Sequence, residues 1–469
     1  MFIGRESELN SLNEHYASGE FEFFCIYGRR RVGKTELIKE FLKDKKAIFH
    51  TGVEDTKDVN LAGFSHAVRK TLFDTKSKAA YADFGEAFDD IYEYAQKEKL
   101  VLVIDEYPYL AASYPGISSL IQVEIDHKLK DTDIFIILCG SSMSFMENQV
   151  MGHRSPLYGR RTGQIKVLPF DFETSKKFFQ RGTEEEKAVI YGITGGIAKY
   201  LHLFNNKKAL KDNILGTFLN SDELLFEEPA NLLNQELRKP ALYNSIITAV
   251  AAGASKVNEI ESKTRLSSAT CVKYLKNLVE LGIIKRETPI FDNAASKKSI
   301  YRLNDGMFRF WFRFVYRNIS RIQLGLGEQV YDDIKDQIPD FMGEVFEQIC
   351  KEYMWKADLP FNISEIGRWW GNNPAKKAEQ EIDLIAVDIS RTKAIFCECK
   401  WRGKKMPGDV IDELIEKAAM FSHKEKHYYF FSKSGFTSAA KAKANDNVKL
   451  IEFCDMFGNP AEQRKFGNV

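Results

Sequence analysis

The chain is 469 residues long, 44% hydrophobic and 28% charged, with a formal net charge of +1. At roughly 100–200 residues per domain, this predicts about three or four globular units with ample apolar material for their cores. The near-neutral balance excludes a chain drawn as a whole to nucleic acid or to membrane, so any such contact must come from a local basic patch.

Apolar runs such as LVLVI and IFIIL are strand-length, well short of the ~20 residues of a membrane helix. The opening MFIGRESELN carries no apolar signal segment, and a cytoplasmic protein with no membrane contact is expected. Among seven scattered cysteines, Cys25, Cys139, Cys397 and Cys399 lie in apolar strand-like runs, which predicts reduced, buried thiols. No CxxC pair exists, so a zinc site is not expected. His423 and His427 are spaced for one helical face and lack a third ligand, which reads as a solvated helix face.

Over residues 1–170 strands alternate with helices. FEFFCIYG (21–28), AIFHTG (47–52), LVLVID (100–105) and IFIILCG (134–140) are strand candidates, most of them continuous apolar runs between polar helices. Continuous rather than alternating apolar strands predict a parallel sheet covered on both faces, and the alternation predicts a doubly wound α/β domain. Residues 171–238 carry helical spacing and are expected to form a small helical lid joined through Pro169. In 239–330, three helical segments precede two short strands around the polar tip of KRETPIFDNAASKKSIYRL, which predicts a winged helix-turn-helix. Its aromatic tail, FRFWFRFVYR, places rings on several helix faces and is expected to pack as a connector. Residues 331–469 begin with the helix FMGEVFEQICKEYMWK and continue as a second α/β arrangement.

The pattern GxxxxGK[ST] is met by Gly28, Arg29, Arg30, Arg31, Val32, Gly33, Lys34 and Thr35, between an apolar strand and a helix. Glycines let backbone N–H groups curl around phosphate oxygens, and the helix start adds its dipole. Lys34 offers charge to the β/γ phosphates and Thr35 a hydroxyl to Mg²⁺, with Glu36 in the same first turn. Asp105 ends a strand, where a carboxylate orients the water shell of Mg²⁺; Glu106, beside it, is suited to polarise an attacking water. Ser141 and Ser142 follow IFIILCG, where a polar group senses the γ-phosphate, and Arg160 and Arg161 are candidates for stabilising its charge. Together these residues imply ATP binding and hydrolysis with Mg²⁺.

FIGRESELNSL, GRRRVGKTELI, LVLVIDEYPYL, CGSS and LYGRR together resemble the archaeal-type ATPases of the STAND/AAA+ P-loop group. The resemblance implies that Gly4, Arg5 and Glu6 lie at the adenine-ribose end of the nucleotide. It also implies that ITGGIAKYL is the family's GGxPxYL lid motif, with Ala198 in place of proline. The family commonly continues into a winged helix and a C-terminal nuclease-like domain.

EIDLIAVD and KAIFCECKW match the D-(x)n-ExK core of the PD-(D/E)xK, restriction-endonuclease-like fold at Asp383, Glu398 and Lys400, with Ile382 before the aspartate rather than proline. Strand alternation puts Glu398 and Lys400 on one side and Cys397 and Cys399 on the other. Carboxylates that hold Mg²⁺ beside a lysine that positions water suit phosphodiester hydrolysis. The additional acidic ligand falls at Glu347, with Glu344 an open alternative. Trp369, Trp370 and Trp401 are expected to be core or rim packing. In the winged helix, Ser267, Ser268, Thr270, Lys273 and Lys276 are recognition-helix candidates, and Lys297 and Lys298 mark the wing tip.

The expectation is an ATP-hydrolysing switch coupled to a DNA-directed, Mg²⁺-dependent nuclease domain. The alternative is a non-catalytic regulator, in which ATP gates a surface and the C-terminal domain only binds nucleic acid or a protein partner. Nucleotide-dependent self-association also stays open.

Overall fold

The computed structural model describes residues 2–457 apart from 76–78, 238, 294 and 374–375. The chain divides into two compact units, the first comprising Met1–Phe170 with Ile197–Tyr200, the second Asp171–Gly196 and the chain from Leu201 onward.

In the first unit the elements run α1 (Glu6–Tyr16), β1 (Glu22–Tyr27), α2 (Lys34–Phe41), β2 (Ala47–Thr51), α3 (Lys57–Phe73), α4 (Phe84–Ala95), β3 (Leu100–Asp105), α5 (Tyr107–Ser113), α6 (Ile117–His127), β4 (Ile134–Gly140) and β5 (Gly163–Lys166). The strands form one sheet in the order β2-β3-β4-β1-β5, with every neighbour parallel. Every residue of β1, β3 and β4 is buried, as the continuous apolar runs require of strands covered on both faces. Helices form where apolar residues recur at helical spacing. On α4 these are Phe84, Ala87, Phe88, Ile91 and Ala95, all in the core that also takes Leu102, Ile104 and Ile136. Asp83 starts this helix by accepting from Glu86 N (3.0 Å).

This topology fixes where a ligand can bind. Strands β1 and β3 flank β4, and their carboxyl ends release the Gly28–Thr35 loop and Asp105 on one edge of the sheet, where open α/β sheets bind ligands.

The second unit opens with helices, among them Phe172–Lys176, Glu184–Thr194, Leu210–Leu215 and Leu224–Glu236. Three more, Pro240–Ala251, Val257–Thr264 and Ser268–Glu280, precede an antiparallel hairpin of β6 (Ile284–Glu287) and β7 (Ile300–Leu303). The aromatic tail that follows is packed, with Phe308, Phe310, Trp311, Phe312 and Phe314 buried and Trp311 Nε1 donating to Phe226 O (2.7 Å). A mixed sheet closes the unit: β8 (Glu365–Asn373), β9 (Ala378–Val387), β10 (Lys393–Lys400), β11 (Glu425–Ser432) and β12 (Val448–Glu452), in the order β12-β11-β10-β9-β8. Its β8–β9–β10 pairs are antiparallel and its β10–β11–β12 pairs parallel.

The helix-face expectation for His423 and His427 is corrected. His423 lies in the connection before β11, and His427 lies within β11 opposite Ile395. A four-residue spacing fits a helix, but the β-prone run HYYFFS pairs with β10 instead. All seven cysteines are free; six are buried and Cys454 is exposed.

His50, in β2, is buried edge-on to Phe64, and burial pushes its pKa down from 6.5 to about 4. The unfolded chain therefore binds a proton between about 4 and 6.5 that the folded chain does not. Stability rises with pH across that window and is lost as pH falls through it. His50→Leu is expected to flatten this acid-side slope, read from urea midpoints as a function of pH.

Candidate functional site

Positive φ angles at Gly28 (151°), Arg31 (72°) and Gly33 (96°) curl the loop between β1 and α2, turning successive amides toward its concave side. A side chain at Gly28 would collide with the carbonyl of Val167, which leaves β5 alongside. Lys34 is buried, and its Nζ donates to Gly28 O (2.9 Å) and Arg29 O (3.1 Å), arching back across the loop. Gly33 caps α2 without a side chain, so the first-turn amides of Lys34, Thr35 and Glu36 have no intrahelical acceptor and are available to an anion. The Glu36 carboxylate itself faces solvent, paired with Lys39 at 3.0 Å.

Next to the loop, Thr35 Oγ1 donates to Asp105 Oδ2 (2.9 Å), and Glu106 N donates to Asp105 Oδ1 (2.9 Å). Asp105 is almost fully buried, and this hydroxyl–carboxylate pair is an all-oxygen donor set of the kind Mg²⁺ takes. Glu106 has a φ of 48°, a left-handed conformation costly for a residue with a Cβ and common at functional sites. Ser141 Oγ donates to Glu106 Oε2 (2.9 Å). Ser142 begins the short helix that follows. Arg30 Nη2 donates to Tyr109 OH (2.6 Å) on α5, a contact no local pattern announced.

Gly4 and Arg5 also have positive φ, 67° and 69°. Arg5 stacks over Phe170 (4.1 Å) and donates to Glu8 Oε1 (3.0 Å), Val32 O (3.1 Å) and Leu168 O (2.5 Å). Its guanidinium thus braces the back of the loop through Val32. Residues 197–200 press on the same loop, for Lys199 N donates to Arg31 O (3.2 Å) and Tyr200 lies beside the Arg31 guanidinium (5.9 Å). Ala198 contributes a methyl 3.6 Å from where a Cβ on Gly33 would stand.

Arg160 is not brought to the loop. It forms a bidentate pair with Asp126 at the end of α6 (2.7 and 2.6 Å) and donates to Pro156 O (2.9 Å). It precedes β5, which runs parallel to β1 with Gly163 level with Phe24. That places it toward the amino ends of the strands, whereas the loop follows their carboxyl ends. Arg161 is exposed in the same connection.

In the second unit, Asp383 on β9 accepts from Cys399 N (2.8 Å) on β10. The Lys400 ammonium bonds Glu398 and lies 3.8 Å from Asp383 Oδ2. Burial pushes Asp383 up to about 6; the Glu398 charge adds to this and Lys400 opposes it. Glu347, on the helix Ile338–Met354, is pushed up to about 8, first by burial and then by Asp383 and Glu344. Burial works against the Lys400 charge, but Asp383 and Glu398 prevail and hold its pKa above the usual value. Glu344 pairs with Arg302 (2.9 Å) and Arg309 (3.1 Å), and Glu347 lies 3.7 Å from Arg368 while feeling the Asp383 charge. Among the described residues, the one set of three candidate ligand atoms within 4.8 Å of each other lies elsewhere, at Glu452, Cys454 and Asp455. Trp369 and Trp401 are buried, and Trp370 Nε1 donates to Lys298 O (3.2 Å). On the helix Ser268–Glu280, capped by Ser267 Oγ accepting from Thr270 N (3.4 Å), Ser268, Lys273 and Lys276 are exposed, as are Lys297 and Lys298 on the hairpin.

Residues 2–204 match the family described as an ATPase domain predominantly from Archaea, and 311–410 match one described as archaeal and bacterial proteins of unknown function. The chain is 35% identical over 409 residues to the uncharacterized protein MJECL04 of Methanocaldococcus jannaschii, across 86% of this chain and 88% of that one. It belongs to this archaeal ATPase family. A shorter relative, the uncharacterized ATP-binding protein MJ0423 of the same organism, is 48% identical over 46 residues, 10% of this chain and 78% of its own. Among solved structures, the Walker-type ATPase PABY2304 of Pyrococcus abyssi superposes with a TM-score of 0.51 at 20% identity, over 66% of this chain and 96% of that one. The archaeal ATPase family thus accounts for the parallel-sheet unit as a Walker-type P-loop ATPase fold, followed by a separate mixed-sheet region. No helix among the described residues is long and apolar enough to cross a membrane.

Gly28→Ala is expected to lower stability by about 1–3 kcal/mol, because Cβ and the Val167 carbonyl cannot share the space. Urea unfolding of the two proteins measures it.

Proposed function

We propose that this chain is an ATP-hydrolysing switch that governs a DNA-directed, Mg²⁺-dependent nuclease domain. The observation that carries the first half is the unbroken chain of hydrogen bonds Thr35–Asp105–Glu106–Ser141 beside the phosphate loop. Amides of the loop and the Lys34 ammonium hold the β and γ phosphates of ATP. Thr35 and Asp105 would hold Mg²⁺ through the face where their oxygens meet. Glu106, anchored by Ser141, accepts the proton of the attacking water. Gly4 and Arg5 shape the nucleotide end of the loop from behind, and Arg31 ties it to the 197–200 segment.

For the second half, Asp383 and Glu398 on adjacent strands, with Glu347 beside them, are the groups that would hold a divalent cation, and the Lys400 ammonium would help position the attacking water. When bound, Mg²⁺ at either site neutralises charge growing on phosphate oxygens. In the winged helix over 239–305, the helices help present DNA, with Ser268, Lys273 and Lys276 on the open face of the last one, while the hairpin packs on the C-terminal sheet. Helices of 171–238 act as the lid.

A second reading draws on the Lys400 contacts with Glu398 and Asp383. In it the C-terminal domain binds without cutting, and the lysine takes the place of a cation. Calorimetric titration with Mn²⁺ separates the two: stoichiometric binding lost in Asp383→Asn favours the nuclease, and no binding favours the regulator.

Lys34→Ala is expected to reduce ATP turnover by at least ~100-fold, and undiminished turnover in a phosphate-release assay would sink the switch. Glu106→Gln is expected to keep nucleotide affinity while slowing hydrolysis by ~10²–10⁴, read as labelled ATP bound against phosphate released. Lys400→Ala is expected to abolish Mg²⁺-dependent DNA cleavage; a wild type that cuts no DNA with or without ATP counts against the nuclease.

A further inference from the structure

Immediately after Lys400, the connection from β10 to the helix Asp409–Ala418 reads WRGKKMPG, and it exposes Arg402, Lys404 and Lys405. None of the three forms an ion pair or side-chain hydrogen bond among the described residues. Nearby cations are otherwise engaged: Lys433 with Glu185 (2.7 Å), Lys376 with Glu416 (2.7 Å), Lys443 with Asp412 and Arg368 with Glu381 (3.0 Å). Three like charges within four residues repel one another, and exposed cations left unmatched suit an anionic partner.

The loop holding them is fixed. At its root Trp401 is buried between Phe346 and Phe453, with Lys433 over its ring (5.3 Å). Ser434 Oγ donates to Arg402 O (2.7 Å), and Lys433 N donates to Lys400 O (3.0 Å). Farther along, Met406 is buried and bridges to Phe436, its N donating to Gly435 O (2.9 Å) and its O accepting from Thr437 N (3.0 Å). The exposed Asp409 is the nearest acid on the following helix, and its Oδ1 accepts from Val410 N (2.9 Å).

The hairpin between β6 and β7 is, by contrast, already committed. Ile290 lies in the core with Trp369 and Phe396, its N donates to Arg368 O (2.9 Å), and Phe291 packs on Phe421. Lys298 lends its carbonyl to Trp370 and its ammonium to Asp292 (3.6 Å).

The geometry points to the loop Trp401–Pro407, rather than the β6–β7 hairpin, as the surface that grips the phosphate backbone of duplex DNA beside Asp383, Glu398 and Lys400. This rests on the nuclease reading for what happens to the DNA, but not for the grip itself. A pre-shaped loop carrying three free cations contacts phosphates without reading sequence. Each contact contributes about 0.9 to the slope of log affinity against log salt, so the loop accounts for about 2.7 of it.

The test is fluorescence anisotropy of a labelled DNA duplex with the full chain, in EDTA, across a salt series. Arg402→Ala/Lys404→Ala/Lys405→Ala is expected to lower the slope by about 2.7, with an unchanged urea midpoint. The charge-keeping Arg402→Lys/Lys404→Arg/Lys405→Arg is expected to retain the slope, and Lys297→Ala/Lys298→Ala to change it by less than about 1. The inference is overturned if the wild type does not bind the duplex. It is also overturned if the triple alanine variant keeps affinity and slope, or if the hairpin variant loses the slope instead. Wild-type binding that depends on the loop, without Mg²⁺-dependent cutting, upholds this surface and discards the nuclease reading.

Discussion

Between Tyr27 and Lys34 the backbone has to turn its amides inward in a space too small for side chains, and the rest of the first unit is arranged around that turn. Val167 N donates to Tyr27 O (2.7 Å), and the Val167 carbonyl takes the volume a Cβ on Gly28 would need. Arg5 ties Val32 to Leu168 and Phe170, and Lys199 holds Arg31 from another side. Such bracing lowers the reorganisation required when a polyphosphate arrives, since the donors already point where charge will be. The same contacts tie the loop to 167–170 and 197–200, the stretches where the chain passes between the two units.

The second unit solves a different electrostatic problem. Asp383 and Glu398 are buried and Glu347 is half-buried beside them, and like charges there repel at low effective dielectric. Lys400 relieves part of the repulsion, and what is left, together with burial, pushes the Glu347 and Asp383 carboxyls up. A cluster in this condition favours any group able to deliver concentrated positive charge. Asp383 is held by the Cys399 amide, with the buried Cys350, Cys397 and Cys399 close by.

What could be read from the sequence was local. The apolar runs became the strands of the parallel sheet, because a strand buried on both faces leaves no polar alternation to confuse. The glycines, Lys34 and Thr35 stand within one loop and one helical turn, so their spacing carries their geometry. Non-local pairing was illegible. Nothing near Arg160 announces Asp126, some thirty residues earlier, and nothing near Arg5 announces Leu168. The histidine pair misled because a spacing of four is compatible with a helix, and only cross-strand pairing with β10 settles it. The arginines opposite the two glutamates, Arg302 and Arg309 at Glu344 and Arg368 at Glu347, were equally illegible.

The engagement of the hairpin with β8 bears on how this chain can be taken apart. Element counting suggests a cut near residue 331, ahead of the last α/β region. A fragment beginning there would lack Ile290 and Phe291, which fill the slot beside Gly367, Trp369 and Phe421. It would open an apolar groove on the sheet and strip the Arg368 carbonyl and the Trp370 indole of their partners, each unsatisfied group costing about 1–3 kcal/mol where it stays shielded from water. The smallest self-sufficient C-terminal piece therefore begins upstream of the hairpin, because the two regions that look modular in sequence pack as one compact unit.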